Sequence, residues 1–184
     1  MMNKNPISST SQKDNTFEHV FYEMHMYYLS YEALKEMTVI DESNCPNRQF
    51  WINVLLESHA THLRNLIHFF CQHDSLNVKT VLLNEPKLGI KNHSKKIDII
   101  NKALSHLTLE RADVTKNLNE MMSNLINNMF PEICDKTEKY LNYLSTASVI
   151  KSEYLQEFED PKIHNYYLQL ISIYSNKNQP NCES

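Results

Sequence analysis

Apolar side chains recur at every third or fourth position along most of this chain, which is the spacing that lines one side of a helix. Phe17, Val20, Phe21, Met24, Tyr28, Tyr31 and Leu34 predict a first helix over about residues 17–37, with Asn15 or Thr16 placed to cap it. Asp41 to Pro46 break the pattern, and Pro46 suits the first turn of a second helix, where its missing N–H costs nothing. That helix is predicted to reach about Cys71, with Trp51, Leu55, Leu63, Leu66, Phe69 and Phe70 on its apolar arc. At 100° per residue, His59 and His62 fall inside this arc, and Asn53, Glu57, Arg64 and His68 fall outside it.

Residues 72–94 carry no sustained period, although Val81, Leu82 and Leu83 can pin part of the stretch. Ser94 is placed to cap a third helix striped by Ile97, Ile100, Leu104 and Leu107, with a break expected near Thr108. A fourth helix is expected over about 110–130, striped by Leu118, Met121, Met122, Leu125 and Met129. Pro131 is expected to separate it from a fifth over about 132–150, because proline lacks the N–H that a helix interior uses. Past Asp160 and Pro161, the residues Ile163, Tyr166, Tyr167, Leu170 and Tyr174 suggest a last short helix.

Composition supports an all-α chain. Gly89 is the one glycine in 184 residues, and tight β-turns draw most of their positive-φ positions from glycine. The expectation is therefore a compact bundle of about five to six helices forming one domain over 16–175. Polar ends at 1–15 and 176–184 are expected to be a disordered tail and a frayed terminus. No period of 20–50 residues repeats.

The net charge of −4 argues against a broad basic surface for nucleic acid, while leaving room for a local phosphate site. Arginine occurs only at Arg48, Arg64 and Arg111. The cysteines, Cys45, Cys71, Cys134 and Cys182, form no CxxC pair, so a reduced cytoplasmic setting without zinc is expected. No apolar run approaches the ~18 residues of a membrane span, and no apolar leader core is evident, so no membrane association is expected.

One glycine excludes phosphate-cradling glycine loops and the GxSxG elbow, and HExxH is absent. Three constellations remain. In ESHATHLRNLIHFF, His59 and His62 share a helix face and have the spacing to ligate a metal together. They equally suit core histidines, and the Glu-x-x-His pairs of di-metal bundles are missing, so no metal or other cofactor is expected. In INKALSHLTLER, Asn101, Ser105, His106 and Arg111 gather polar groups near one helix end. A histidine beside an arginine can move protons on a phosphodiester while the arginine holds the phosphate; a solvated or capping histidine is the simpler reading. In FYEMHMYYLSY, tyrosines at helical spacing suit base stacking or, more economically, a core or dimer face.

NKALSHL, Asn101 to Leu107, resembles the end of the RN-K-x-x-A-H pattern of HEPN-domain proteins, compact helical bundles of prokaryotic defence and toxin–antitoxin systems. His62-Leu63-Arg64-Asn65-Leu66 and Ile100 to Thr108 also resemble the H-x-R-N-L and I-N-K-x-x-x-H-L-T segments of uncharacterised bacterial proteins, and the likeness spans about 48–130. The resemblance implies a homodimer that binds RNA or cleaves it without a metal. His106 takes the place of the family's histidine and Asn101 that of its polar residue. Ile100 stands in the arginine's place, so the phosphate-holding charge would have to come from Arg64 or Arg111. Two rivals stay open: a non-catalytic module that holds a protein partner, and a metal-dependent bundle enzyme using His59 and His62.

Overall fold

The computed structural model describes residues 15–71, 77–83, 88–109, 115–146 and 149–175; at 42, 79–80, 103, 105–109, 115–123 and 125 it describes the helix alone. Apart from Asn15, the proposed tails lie outside the described residues, as does Arg111. The chain is all-α, with six helices of eight residues or more among the described residues. These are α1 (Thr16–Val39), α2 (Arg48–Cys71), α4 (His93–Leu109), α5 (Thr115–Leu144), α6 (Ser152–Glu159) and α7 (Pro161–Ser175), with a single turn, α3 (Val78–Val81), between α2 and α4. Among the described residues no helix is long and apolar enough to cross a membrane.

α1 and α2 form a long antiparallel hairpin, α4 and α5 pack against α2, and α7 closes the bundle against α1 and α5. One core joins Phe17, Phe21 and Met24 of α1, Leu63, Leu66 and Phe70 of α2, Ile100 of α4, Ile133 and Tyr140 of α5 and Leu170 of α7. The tyrosines of α1 are mostly spent inside it. Tyr27 is buried, Tyr31 stacks on Phe130 with ring centroids 3.4 Å apart, and Tyr28 meets Tyr174 edge-on. Only Tyr22 keeps nearly half its surface in solvent among the tyrosines of this run.

Three elements depart from the sequence pattern. Pro131 does not end a helix: it lies inside the thirty-residue α5. Its ring sits on the solvent side, as does Asn127 one turn earlier. Water can therefore satisfy the Asn127 carbonyl that proline leaves without its N–H, while Met129, Phe130 and Ile133 hold the opposite side in the core. Pro46 does not open α2. Asn47 intervenes at φ 66°, and Asn92 takes φ 54° just before α4, so asparagines fill the left-handed positions that glycine usually supplies. Trp51, placed on the apolar arc by its spacing, is half exposed because α2 starts beyond the end of the core.

The irregular stretch is pinned where expected. Val81 and Leu82 are buried, Leu82 bridges to Ile150, and the Leu83 N–H donates to the Val149 carbonyl at 2.7 Å. At the other end of the chain, Asp160 Oδ1 accepts the Lys162 N–H at 2.8 Å, which caps α7, and Pro161 stands in its first turn.

Candidate functional site

The two segments that carry the family resemblance lie side by side. α2 packs on α4, and Arg64 Nη1 donates to Asn101 Oδ1 at 3.4 Å across that contact. Asn101 is exposed and Arg64 half-buried, so the pair lies at the surface. Ile100, one residue earlier, is fully buried. The position of the family's arginine therefore belongs to the core here, and an arginine there would lose its solvation.

Arg64 is also the better placed of the two described arginines. The Arg48 guanidinium donates to the carbonyls of Met37 at 2.9 Å and Thr38 at 3.0 Å, which ties the end of α1 to the start of α2. Beside Arg64, the outer ridge of α4 and the turn before it present Lys91, Lys95, Asp98, Asn101 and Lys102, all exposed. With Arg64 that makes four cations and one carboxylate among the described residues of this ridge, a basic strip on a chain whose net charge is −4. Lys96, on the same helix, turns instead to Glu132 of α5 at 2.8 Å. His106 lies in α4, about 7.5 Å further along the axis than Asn101.

His59 and His62 do not converge. His62 Nδ1 lies 2.7 Å from Glu23 Oε2 of α1, and since a carboxylate only accepts, Nδ1 carries the proton. Asn65 also donates to Glu23, and His19 approaches within 4.0 Å. Burial alone would raise the Glu23 carboxyl; the His62 and Asn65 hydrogen bonds, with the nearby His62 and His19, outweigh it and hold the group below its usual value.

His59 has no exposure at all and lies beneath the Tyr27 ring, with centroids 4.5 Å apart. Ser30 spends its hydroxyl hydrogen on the Tyr27 carbonyl, so His59 Nδ1–H donates to Ser30 Oγ at 2.9 Å. Nε2 is buried without a hydrogen-bond partner among the described residues. Burial holds the ring neutral and lowers its pKa to about 3, against a smaller opposing effect of the Tyr27 backbone. Neither ring nitrogen of His59 is open to a metal, and no group of three His, Cys, Asp or Glu side chains gathers among the described residues.

A cavity of about 400 Å³ opens between α1, α6 and α7, away from Arg64. Glu18, Glu153, Glu157 and Asp160 line it with Lys162, an acidic wall that suits no phosphate. No family model matches the chain, and no curated protein and no solved structure matches it.

Glu23 and Ser30 were not singled out in the sequence. Their signal was there: both fall among the inward positions of α1, at helical spacing from Phe17, Val20, Met24 and Tyr27. A polar residue on an apolar face calls for a partner across the interface.

Proposed function

We propose that this chain is a HEPN-like helical protein that binds RNA through the basic strip of α2 and α4. In this reading it cleaves RNA without a metal, in a cytoplasmic bacterial defence or toxin–antitoxin setting. The observation that carries the reading is the Arg64–Asn101 contact, which joins the two resembling segments at the surface. Arg64 replaces the charge that Ile100 lacks and holds a phosphate. His106 takes the proton from a ribose 2′-hydroxyl as that oxygen attacks the adjacent phosphorus. The bond from phosphorus to the next nucleotide's 5′-oxygen breaks, leaving a 2′,3′-cyclic phosphate and a 5′-hydroxyl that takes its proton from water.

The test incubates purified protein with mixed RNA and with DNA of the same sequence, in EDTA, beside His106→Ala and Arg64→Ala. RNA cleavage that survives EDTA, spares DNA and is lost in both variants supports the reading. Equal cleavage by all three proteins indicates a contaminating nuclease. Binding without cleavage leaves an RNA-binding protein. Neither binding nor cleavage favours the interaction module, whose own support is the set of exposed apolar side chains at the end of the α1–α2 hairpin.

A further inference from the structure

α1 and α2 run past the core. None of residues 35–40 on α1, and none of residues 48–55 on α2, is buried. This overhang still carries large apolar side chains. Val39 is 84 % exposed, Trp51 50 %, Phe50 49 %, Val54 39 % and Ile40 37 %. Phe50 and Trp51 touch edge to face with centroids 5.4 Å apart, and Val54 follows them one turn later on α2. The Arg48 guanidinium on the carbonyls of Met37 and Thr38 holds both helix ends together, so the five side chains belong to one end of one rigid hairpin.

We infer that this hairpin end is the surface through which two copies of the chain associate. The exposed parts of the five side chains amount to on the order of 400 Å² of apolar surface, as large as the patches that mark interaction sites. A standard interface covers about 800 Å² per partner, of which about 60 % is apolar, so the patch supplies most of the apolar centre of one such interface.

Charge selects the occupant. Around the patch, Glu36 and Asp41 stand against Lys35 and Arg48. A rim of balanced charge offers RNA and an anionic lipid surface no net attraction. It also lacks the strong single sign that would select an oppositely charged protein. Mixed charge around an apolar centre suits an isologous contact, in which the same patch meets itself across a two-fold axis. Such a contact sets two hairpins against each other and covers Phe50, Trp51 and Val54 together. The inference is independent of the RNA reading, since Arg64 and Asn101 lie further along α2 and on α4.

Trp51 is the chain's one tryptophan, so it reports on this surface directly. The test dilutes the full chain from high micromolar to nanomolar concentration, reading tryptophan emission and, in parallel, mass by light scattering. The expected result is a dimer mass with blue-shifted emission at high concentration, and a monomer with red-shifted emission on dilution. Phe50→Glu and, separately, Val54→Glu should each weaken association about thirtyfold or more at unchanged helical circular dichroism. Both positions are solvent-facing, and agreement between the two variants guards against a folding defect in either. A monomer throughout the range overturns the inference. So does a dimer whose tryptophan emission stays red-shifted, or whose mass is unchanged in both variants, because that dimer uses another face.

Discussion

His62 Nδ1 donates to Glu23 Oε2 at 2.7 Å across the α1–α2 interface, and both side chains keep only about a tenth of their surface in solvent. The pair joins the His59–Ser30 and Arg48 hydrogen bonds as a polar link across a hairpin held mainly by apolar packing. Removing either partner leaves the other desolvated and short of a hydrogen bond, which costs more than the bond itself contributes. His62→Ala should therefore lower stability by about 2 kcal/mol, and Glu23→Leu, which leaves Nδ1–H buried alone, by a similar amount. Urea unfolding at neutral pH measures both. A double variant that costs clearly less than the two single changes added together would show that the residues act as a pair.

Glu23 and His59 set two separate pH windows. The Glu23 carboxyl titrates below its ordinary value of 4.5 in the folded chain, so the unfolded chain takes up the proton first as pH falls. The stability contributed by Glu23 is thus complete above about pH 4.5 and is lost as pH falls through the lower, folded value. His59 also has a lowered pKa, but for a base this means that the folded state resists charging. Between 6.5 and about 3, the unfolded chain binds a proton that the buried ring refuses, and stability falls with pH across that range. The slope for one proton is about 1.4 kcal/mol per pH unit. In His59→Gln the slope between pH 6.5 and 5 should flatten by about that amount relative to the parent chain. Equal slopes in the two proteins would mean that His59 is protonated in the fold.

Pro131 gives a prediction of the opposite sign. Its ring removes one backbone hydrogen bond from the middle of α5 on the side exposed to solvent. Pro131→Ala restores that bond and a better helix former, and should stabilise the chain by about 1 kcal/mol or more. A lower melting temperature in that variant would mean that the bundle needs the bend proline makes.

These cases also show which parts of the molecule can be read from spacing alone. The arc on α2 placed His59 and His62 inward, because burial follows period when a helix lies along the core. The same arc misplaced Trp51, because period says nothing about where the core ends. Pro131 looked like a break, since its tolerance depends on which side of α5 meets water, and that is decided by the packing of the whole bundle. Arg64 and Asn101 were each picked out, but their contact across 37 residues of sequence is a tertiary fact. Glu23 shows the converse case: its position among inward neighbours was legible, and only its partner was not.

The RNA reading makes a prediction that needs no catalysis. If Arg64 and the lysines of the α4 ridge hold phosphates, each phosphate neutralised releases counterions, and affinity falls with salt in proportion to their number. For a single strand the slope of log affinity against log salt is about −0.7 for each phosphate contacted, so three contacts give about −2. Arg64→Ala should weaken binding at every sequence tested and make the slope shallower by about one contact. Asn101→Ala removes no charge, so it should leave the slope alone while lowering affinity, because Arg64 loses the carbonyl that aims its guanidinium. Arg64→Lys keeps the charge but not the planar fork, so the slope should survive while part of the affinity is lost. Titrating a fluorescent single-stranded RNA at several salt concentrations separates these outcomes. A slope that is the same in Arg64→Ala and in the parent chain would remove Arg64 from the interface, and with it the contact on which the reading stands.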